Sequence, residues 1–475
     1  MESENRRGFI KKSMLASAGL TVGAPAYIKG FAKNPPSDVI NVAVAGIRSR
    51  GGYYYGGSGH TANYTKIKNS RVVAVCDVDE NLFPIEIEQI EKLGGAKPKA
   101  VVDFRDLCDD KDIDAISIST PDHWHALQTI WACQAGKDVY VEKPLSWSIE
   151  EGRKMVDAAR KYDRIVQIGT NYRSNRMTQK AIQLLHDGII GDIYMGRATI
   201  FGHRRNIGRV PDSPVPEGVH WDLHRGPAPM IPFNKNHFHY NWLWYWDTAT
   251  GEFGNNGVHN IDRIRVAMKK NEHPVKISCC GGFYAYDSDQ EVPNLQVGTY
   301  EYADGTIIEL EVRSLYTPKE EESIIFCGTK GYAMLGDNSF KTFAKESGQN
   351  LTKGDEQSSK KQGELQSMNL TMDDLDPDPM REEYEKNKIE YHFVNFLDCV
   401  RSRKREDLNS EVEGGHLSTA LSHLGNIAYK TGRKLIFDGK TEKIVNDDEA
   451  NTYLTRQYRH PYVMPDNLEI IDRRF

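Results

Sequence analysis

Residues 40–51 read INVAVAGIRSRG. Apart from Asn41 the first six are small or β-branched and apolar, and glycine follows at once. A run this short and this continuously apolar suits a strand covered on both faces, as in a parallel sheet. A turn of the form G-x-G-x-x-G after such a strand holds a dinucleotide pyrophosphate. Here Gly46 and Gly51 take its first and last positions. Arg48 stands where a middle glycine would let bare backbone approach, so its guanidinium is expected to reach phosphate instead. Ser49 and Arg50 complete the turn.

Similar runs follow at 72–76 (VVAVC), 115–119 (AISIS) and 138–141 (DVYV), with helical spacing between the last two in HALQTIWACQAGK. Strands alternating with helices predict an α/β, doubly wound parallel sheet of the Rossmann kind over residues 36–165. The second strand runs into Asp77. An acid there binds the adenosine ribose and repels a 2'-phosphate, which favours NAD over NADP. Asp79 is close enough to share that role. The stretch GGYYYGGSGH, beginning at Gly51, either delays the first helix or forms a flap.

Downstream the pattern changes. Runs at 275–280, 297–302, 307–312 and 323–327, several of them alternating, with the turn signal Asp304-Gly305 between two, predict a large open antiparallel sheet. The helical patterns RMTQKAIQLLHDG and YHFVNFLDCVRSR are expected to flank it. This α+β domain is placed at 166–440, with 441–475 as a C-terminal tail. Segment 202–241, rich in Pro, His and Arg, is too long for a passive connection and reads as a sugar-binding loop. Its histidines show no metal-ligand spacing, and no metal is expected. Segment 341–388 reads as a solvated excursion.

The 475 residues allow two or three domains of about 150 residues each. A net charge of -6 with scattered basic residues argues against nucleic acid as a partner. The amino terminus is different. Arg6, Arg7, Lys11 and Lys12 precede a modest apolar stretch and the small-x-small site Ala24-Pro25-Ala26. This order predicts an export signal of the twin-arginine type over 1–35, too short for a membrane span. The seven cysteines show no disulfide framework, which fits folding in a reducing compartment before export.

The motifs STPDHWHA (119–126), VEKPLS (141–146), GTNYRS (169–174), GNNGVHNID (254–262) and NFLDCVRSRK (395–404) together resemble those of the Gfo/Idh/MocA oxidoreductases. The resemblance spans nearly all of the chain after residue 35. It implies NAD as cofactor, with Thr120, Pro121, His125, Glu142 and Lys143 lining its nicotinamide end. It implies Lys143 as the group that stabilises a substrate oxygen and His259 as general base. Asn255 departs from the family's usual aspartate. It can orient a substrate hydroxyl but cannot take a proton. Asp262 either holds the imidazole or is a surface acid. Tyr172, Arg173, Trp246 and Asp262 are expected substrate contacts.

The expected function is oxidation of a sugar or glycoside hydroxyl with a tightly bound cofactor regenerated in place, because no NAD pool awaits an exported protein. A glycoside hydrolase or lyase working through a transient keto-sugar is the alternative, and a non-catalytic sugar-binding protein is a second. A periplasmic homodimer or homotetramer is expected.

Overall fold

Asn41 is the one polar residue of the opening run, and it lies at the strand's amino end. Its backbone N–H donates to Asp114 and its side-chain amide to the carbonyl of Asp112. The rest of the strand is sealed. In the computed structural model, which describes residues 39–315, 324–343 and 367–468, six parallel strands form the first sheet. They are β1 (Ile40–Ala45), β2 (Ser70–Cys76), β3 (Lys99–Val101), β4 (Ala115–Ile118), β5 (Asp138–Val141) and β6 (Val166–Ile168). Their order is β3-β2-β1-β4-β5-β6. The order reverses between β1 and β4, and the crevice at that switch point is where such sheets bind ligands. Every residue of β4 and β5 is buried, as expected of strands covered on both faces. β6 lies past residue 165, where sequence reading ended this sheet. Three residues are too few to show a period, and β6 is identified by its pairing, Val139 with Val166.

The second sheet has ten strands among the described residues. They are β7 (Ile193–Phe201), β8 (Lys276–Gly282), β9 (Leu295–Glu301), β10 (Ile307–Arg313), β11 (Ile324–Gly328), β12 (Gly331–Leu335), β13 (Ser339–Phe343), β14 (Met368–Thr371), β15 (Leu435–Asp438) and β16 (Lys443–Ile444). Their order is β14-β13-β12-β11-β7-β10-β9-β8-β15-β16. All neighbours are antiparallel except β7 and β10. Alternate residues of β9 and β10 are buried, so one face packs on helices and the other stays open. The covering helices include Arg176–His186, Val258–Ala267 and Val412–Thr431, which supply Met177, Ile261, Ile264 and Leu421 to the core.

Three expectations are corrected here. The helix Tyr391–Ser402 covers the parallel sheet, not the antiparallel one. Its Phe393 and Phe396 share a core with Val42, Val44 and Tyr140, and the rings of Phe393 and Tyr140 stack at 4.7 Å. The segment after 440 is no loose tail. β16 extends the second sheet, and Tyr462 and Met464 are buried against Trp124 and Trp131. The stretch 341–388 is not wholly a solvated excursion, because β13 and β14 pair at the sheet edge.

The insertion after Gly51 delays the helix: one turn forms at Tyr53–Tyr55, and the α-helix begins at His60. The predicted export signal over 1–35 lies outside the described residues. No helix among the described residues is long and apolar enough to cross a membrane.

Candidate active site

At the carboxyl end of β1, Gly46 adopts φ +82°, and a Cβ there would lie 2.5 Å from the Ser119 carbonyl oxygen. Only glycine lets the chain turn so close to the next strand. Gly51 closes the turn from beneath, where a Cβ would meet the Gly46 carbonyl at 2.0 Å. Asp77, at the end of β2, accepts the Ile47 N–H at 2.8 Å and the Asp79 N–H at 3.0 Å. Burial pushes its carboxyl up to about 6. Gly46, Arg48, Ser49, Asp77, Thr120 and Pro121 all line one cavity of about 680 Å³. These residues fit NAD: a tight turn for the pyrophosphate, a cation beside it, and a carboxylate at the ribose position.

The two arginines of the turn divide. Arg48 lies over the Tyr54 ring at 4.2 Å and faces the cavity. Arg50 is committed to carboxylates. Its terminal nitrogens reach both oxygens of Glu390 at 2.7 Å, and its Nε reaches Glu142 at 3.1 Å. Arg50 also lines the cavity, and this ion-pair network holds it there. His60, from the unusual insertion, joins that network. It donates through Nε2 to Glu142 (3.0 Å) and accepts at Nδ1 from the Ser117 hydroxyl (2.9 Å). The neutral tautomer with a proton on Nε2 satisfies both bonds, and burial lowers the pKa of His60 accordingly. Burial alone would raise the Glu142 carboxyl, but the His60 hydrogen bond and the Arg50 charge hold it well below the usual range.

Lys143 follows directly, in a cis Lys143–Pro144 turn after β5. His125 ties this turn to the loop after β4: its ring nitrogens lie 2.7 Å from the Pro144 carbonyl and 2.8 Å from that of Thr120. His125 thus positions the lysine turn from the cavity wall. Lys143 Nζ donates to Asn255 Oδ1 at 2.7 Å and to its main-chain oxygen at 2.9 Å. Burial lowers the lysine's pKa, opposed by the charges of Glu142, Asp122 and Glu252.

Asn255 sits on a π-helical turn, Phe253–Gly257, that leads into the helix Val258–Ala267. Such wide turns recur at functional sites. Here it is packed tightly, because a Cβ on Gly254 would strike the Thr250 hydroxyl at 1.8 Å. The amides of Asn255 and Asn256 face the buried Glu252 carboxylate at 3.4 and 2.7 Å, and Arg204 pairs with it at 2.8 Å. With its NH2 turned toward an anion, Asn255 presents its carbonyl oxygen to Lys143.

His259 lines the cavity, edge-on to the Tyr172 ring with centroids 5.4 Å apart. Its Nδ1 has no hydrogen-bond partner within the protein. Burial, aided by the Lys143 charge, pushes its pKa down to about 3. The ring is therefore neutral at neutral pH and keeps one nitrogen lone pair as a hydrogen-bond acceptor.

Three expected substrate contacts are not in this cavity. Asp262 does not hold the imidazole. Its oxygens accept from Arg173 at 2.6 and 2.7 Å and from the Ser418 hydroxyl at 2.6 Å, in a buried pair behind the helix. Arg173 is thereby used up. Trp246 packs against Leu243–Tyr245, with Lys430 4.0 Å above its ring. Tyr240 and Trp242, two and four positions after Phe238, line the cavity instead. A dense aromatic run does not tell which rings face in. Sequence reading also missed Asp122, a buried cavity residue that accepts the Thr250 hydroxyl at 3.0 Å. Burial pushes its carboxyl up to about 7. It stands inside the STPDHWHA motif, so its position was in view though its role was not.

Among the described residues, His273, His416 and Glu442 have metal-ligating types close together, away from this cavity. Arg153 already bonds the same Glu442 oxygen at 2.7 Å, next to His416 at 2.8 Å. This is an ion-pair hub.

The chain resembles known proteins in three ways. A glycosyl hydrolase family 109 protein of Shewanella baltica is 26% identical over 217 residues, which is 42% of this chain and 46% of that relative. The chain thus matches about half the length of this relative. Two solved structures share the fold. The WlbA dehydrogenase of Bordetella pertussis, in complex with NADH and UDP-GlcNAcA, has a TM-score of 0.59 at 17% identity, covering 84% of this chain and 98% of that one. The aldose–aldose oxidoreductase of Caulobacter crescentus, complexed with glycerol, has a TM-score of 0.60 at 16% identity, covering 84% and 100%. Residues 40–170 match the model of an oxidoreductase family's NAD-binding Rossmann fold, and residues 193–340 and 372–464 match its C-terminal alpha/beta domain. With both halves matched, the chain belongs to the Gfo/Idh/MocA oxidoreductase family.

Proposed function

We propose that this protein is an NAD-dependent oxidoreductase acting on a CH–OH group of a sugar or glycoside, with its cofactor regenerated in place. The observation that carries this reading is the convergence of Lys143, Asn255 and His259 on the cavity whose other end is the Gly46–Asp77 turn. NAD, when bound, supplies a hydride acceptor. Lys143 donates hydrogen bonds to the substrate oxygen and stabilises the negative charge that grows on it. His259, neutral, takes the hydroxyl proton at a ring nitrogen. Asn255 fixes the Lys143 ammonium, and its carbonyl oxygen keeps a second lone pair for a neighbouring hydroxyl. Tyr172, Tyr240 and Trp242 provide apolar faces for a pyranose ring.

One observation favours glycoside cleavage through a transient keto-sugar. Asp122 is a buried carboxyl, near-neutral in pKa, that lines the same cavity and feels the charge of Lys143. Such a group can protonate a leaving oxygen. The likeness to glycosyl hydrolase family 109 supports this direction.

The amino-terminal Arg6-Arg7 pattern supports export of the folded holoprotein by a twin-arginine route to the periplasm, and seven free thiols agree with folding in a reducing compartment. The open face of the ten-stranded sheet supports a homodimer or homotetramer.

The test is Lys143→Met. Purified enzyme is offered free sugars and aryl glycosides, and products are read for oxidation and for cleavage. Loss of turnover with NAD still bound is expected. Full activity in this variant overturns the assignment, and binding of sugar with no turnover by the unmodified enzyme selects a non-catalytic protein.

A further inference from the structure

Segment 202–241 divides between the two ends of the cavity. Arg204, Tyr240 and Trp242 line it near the lysine. The middle of the segment does something else: it runs along the end of β2, just past Asp77. Val219 bridges Asp79 in antiparallel fashion. The Glu80 N–H donates to the Gly218 carbonyl at 2.9 Å, and the His220 N–H donates to the Val78 carbonyl at 2.8 Å. His239 closes the same edge, with Nε2 3.2 Å from Asp79.

The short helix Trp221–Arg225 is then pinned from two further sides. From the helix Asp122–Gln134, the Trp124 indole donates to the Leu223 carbonyl at 2.9 Å, and His123 Nε2 lies 3.0 Å from the His224 carbonyl. From the chain's last described stretch, Arg459 reaches one Asp222 oxygen at 2.6 Å and the Tyr462 hydroxyl donates to the other at 2.7 Å. The Tyr462 ring sits edge-on to Trp124 at 5.3 Å. Leu223, Phe238, His239 and Tyr462 all face the cavity beside Asp77 and Arg105. All four lie outside the residues matched to the NAD-binding domain. A doubly wound sheet by itself leaves the crevice at its strand ends open to water. Here that crevice has an outer wall, hydrogen-bonded on three sides and lined by the rings of Phe238 and Tyr462.

We infer that segment 216–239 and Tyr462 form the outer wall of the adenosine subsite and hold NAD as a non-exchanging group. This rests on the reading that NAD is regenerated in place. The wall opens only by breaking hydrogen bonds to β2, to the helix Asp122–Gln134 and to the C-terminal stretch together, so release is slow even when the sugar site is empty.

The experiment uses the full-length protein purified without added cofactor, and no sugar is present. NAD is released by acid and counted per chain. A second sample is incubated with excess deuterated NAD, and exchange is followed by mass spectrometry. The expected result is near-stoichiometric NAD that exchanges over many hours. Tyr462→Ala and His239→Ala are expected to exchange about tenfold faster or more, as loss of a hydrogen bond or an aromatic contact implies, with unchanged circular dichroism. Arg209→Ala, in the same loop but outside the cavity, exchanges like the unmodified protein. Exchange of the unmodified protein within minutes overturns the inference, as do wall variants that exchange at the unmodified rate. The two readings fail separately. Slow exchange without turnover of any sugar refutes the function and leaves the wall standing. Turnover that depends on added NAD refutes the wall and leaves the oxidation chemistry standing.

Discussion

The ammonium of Lys143 lies 2.7 Å from Oδ1 of Asn255, a neutral amide where a carboxylate is usual in the family that the chain resembles. Burial lowers the lysine's pKa, and this nearest partner adds no negative charge to oppose the shift. Asn255→Asp places an anion there. The expected outcome is a higher lysine pKa. A protonated lysine is active below its pKa and lost above it, so the alkaline limb of the kcat profile moves to higher pH by about one unit or more. A limb that stays in place would mean that Lys143 does not set it.

His259 is neutral at all pH values well above about 3. Its basic form is therefore fully populated across pH 5–8, and it contributes no acid limb to kcat/KM in that window. His259→Gln removes the acceptor and is expected to slow turnover by about 10²- to 10⁴-fold. An acid limb near 6.5 that vanishes in this variant would contradict the buried, neutral ring.

Asp122 separates the two chemical readings. Its carboxyl titrates at about 7, so the protonated form needed to aid a leaving group is lost as pH rises through that value. Asp122→Asn is expected to abolish glycoside cleavage while hydride transfer continues, measured as deuterium arriving on the bound NAD from a glycoside deuterated at the carbon that is oxidised. Equal loss of both activities points to a shared role for Asp122 in placing Lys143.

Arg173 and Asp262 form a buried pair whose energetic role is stability. Burial would raise the Asp262 carboxyl, but Arg173 holds it below the usual range. A carboxylate with a lowered folded pKa stabilises above its unfolded pKa, and the contribution is lost as pH falls through the folded value. Arg173→Ala leaves Asp262 with Ser418 and a distant Arg265. The expected cost is about 3 kcal/mol or more at pH 7, smaller in acid, read from thermal unfolding at the two pH values. KM for sugar in the surviving folded enzyme is expected to be unchanged, and a large rise in KM would return Arg173 to the substrate site.

Much of the site was legible because it is local. The run Ile40–Ala45, the turn at Gly46, Asp77 at the end of β2 and Lys143 at the end of β5 each follow from a few consecutive residues, and the structure brings all of them to one crevice. A strand's carboxyl end in a parallel sheet is a fixed address, so motifs there can be placed before any packing is known. Helix and strand periods are equally local, and they placed four of the six strands of the first sheet and four of the ten described strands of the second.

What tertiary structure alone decided were the partners across long stretches of chain. His60 meets Glu142, Arg50 meets Glu390, Arg173 meets Asp262, and Tyr462 closes on Asp222. The helix Tyr391–Ser402 chose the parallel sheet over its nearer neighbour. An amphipathic period states which face of an element must be covered. It does not state by what, because any apolar surface of matching shape lowers the free energy in the same way. Buried charges follow the same logic. Sequence shows which residues carry charge, but only the folded chain shows which opposite charge lies close enough to spare them the cost of leaving water.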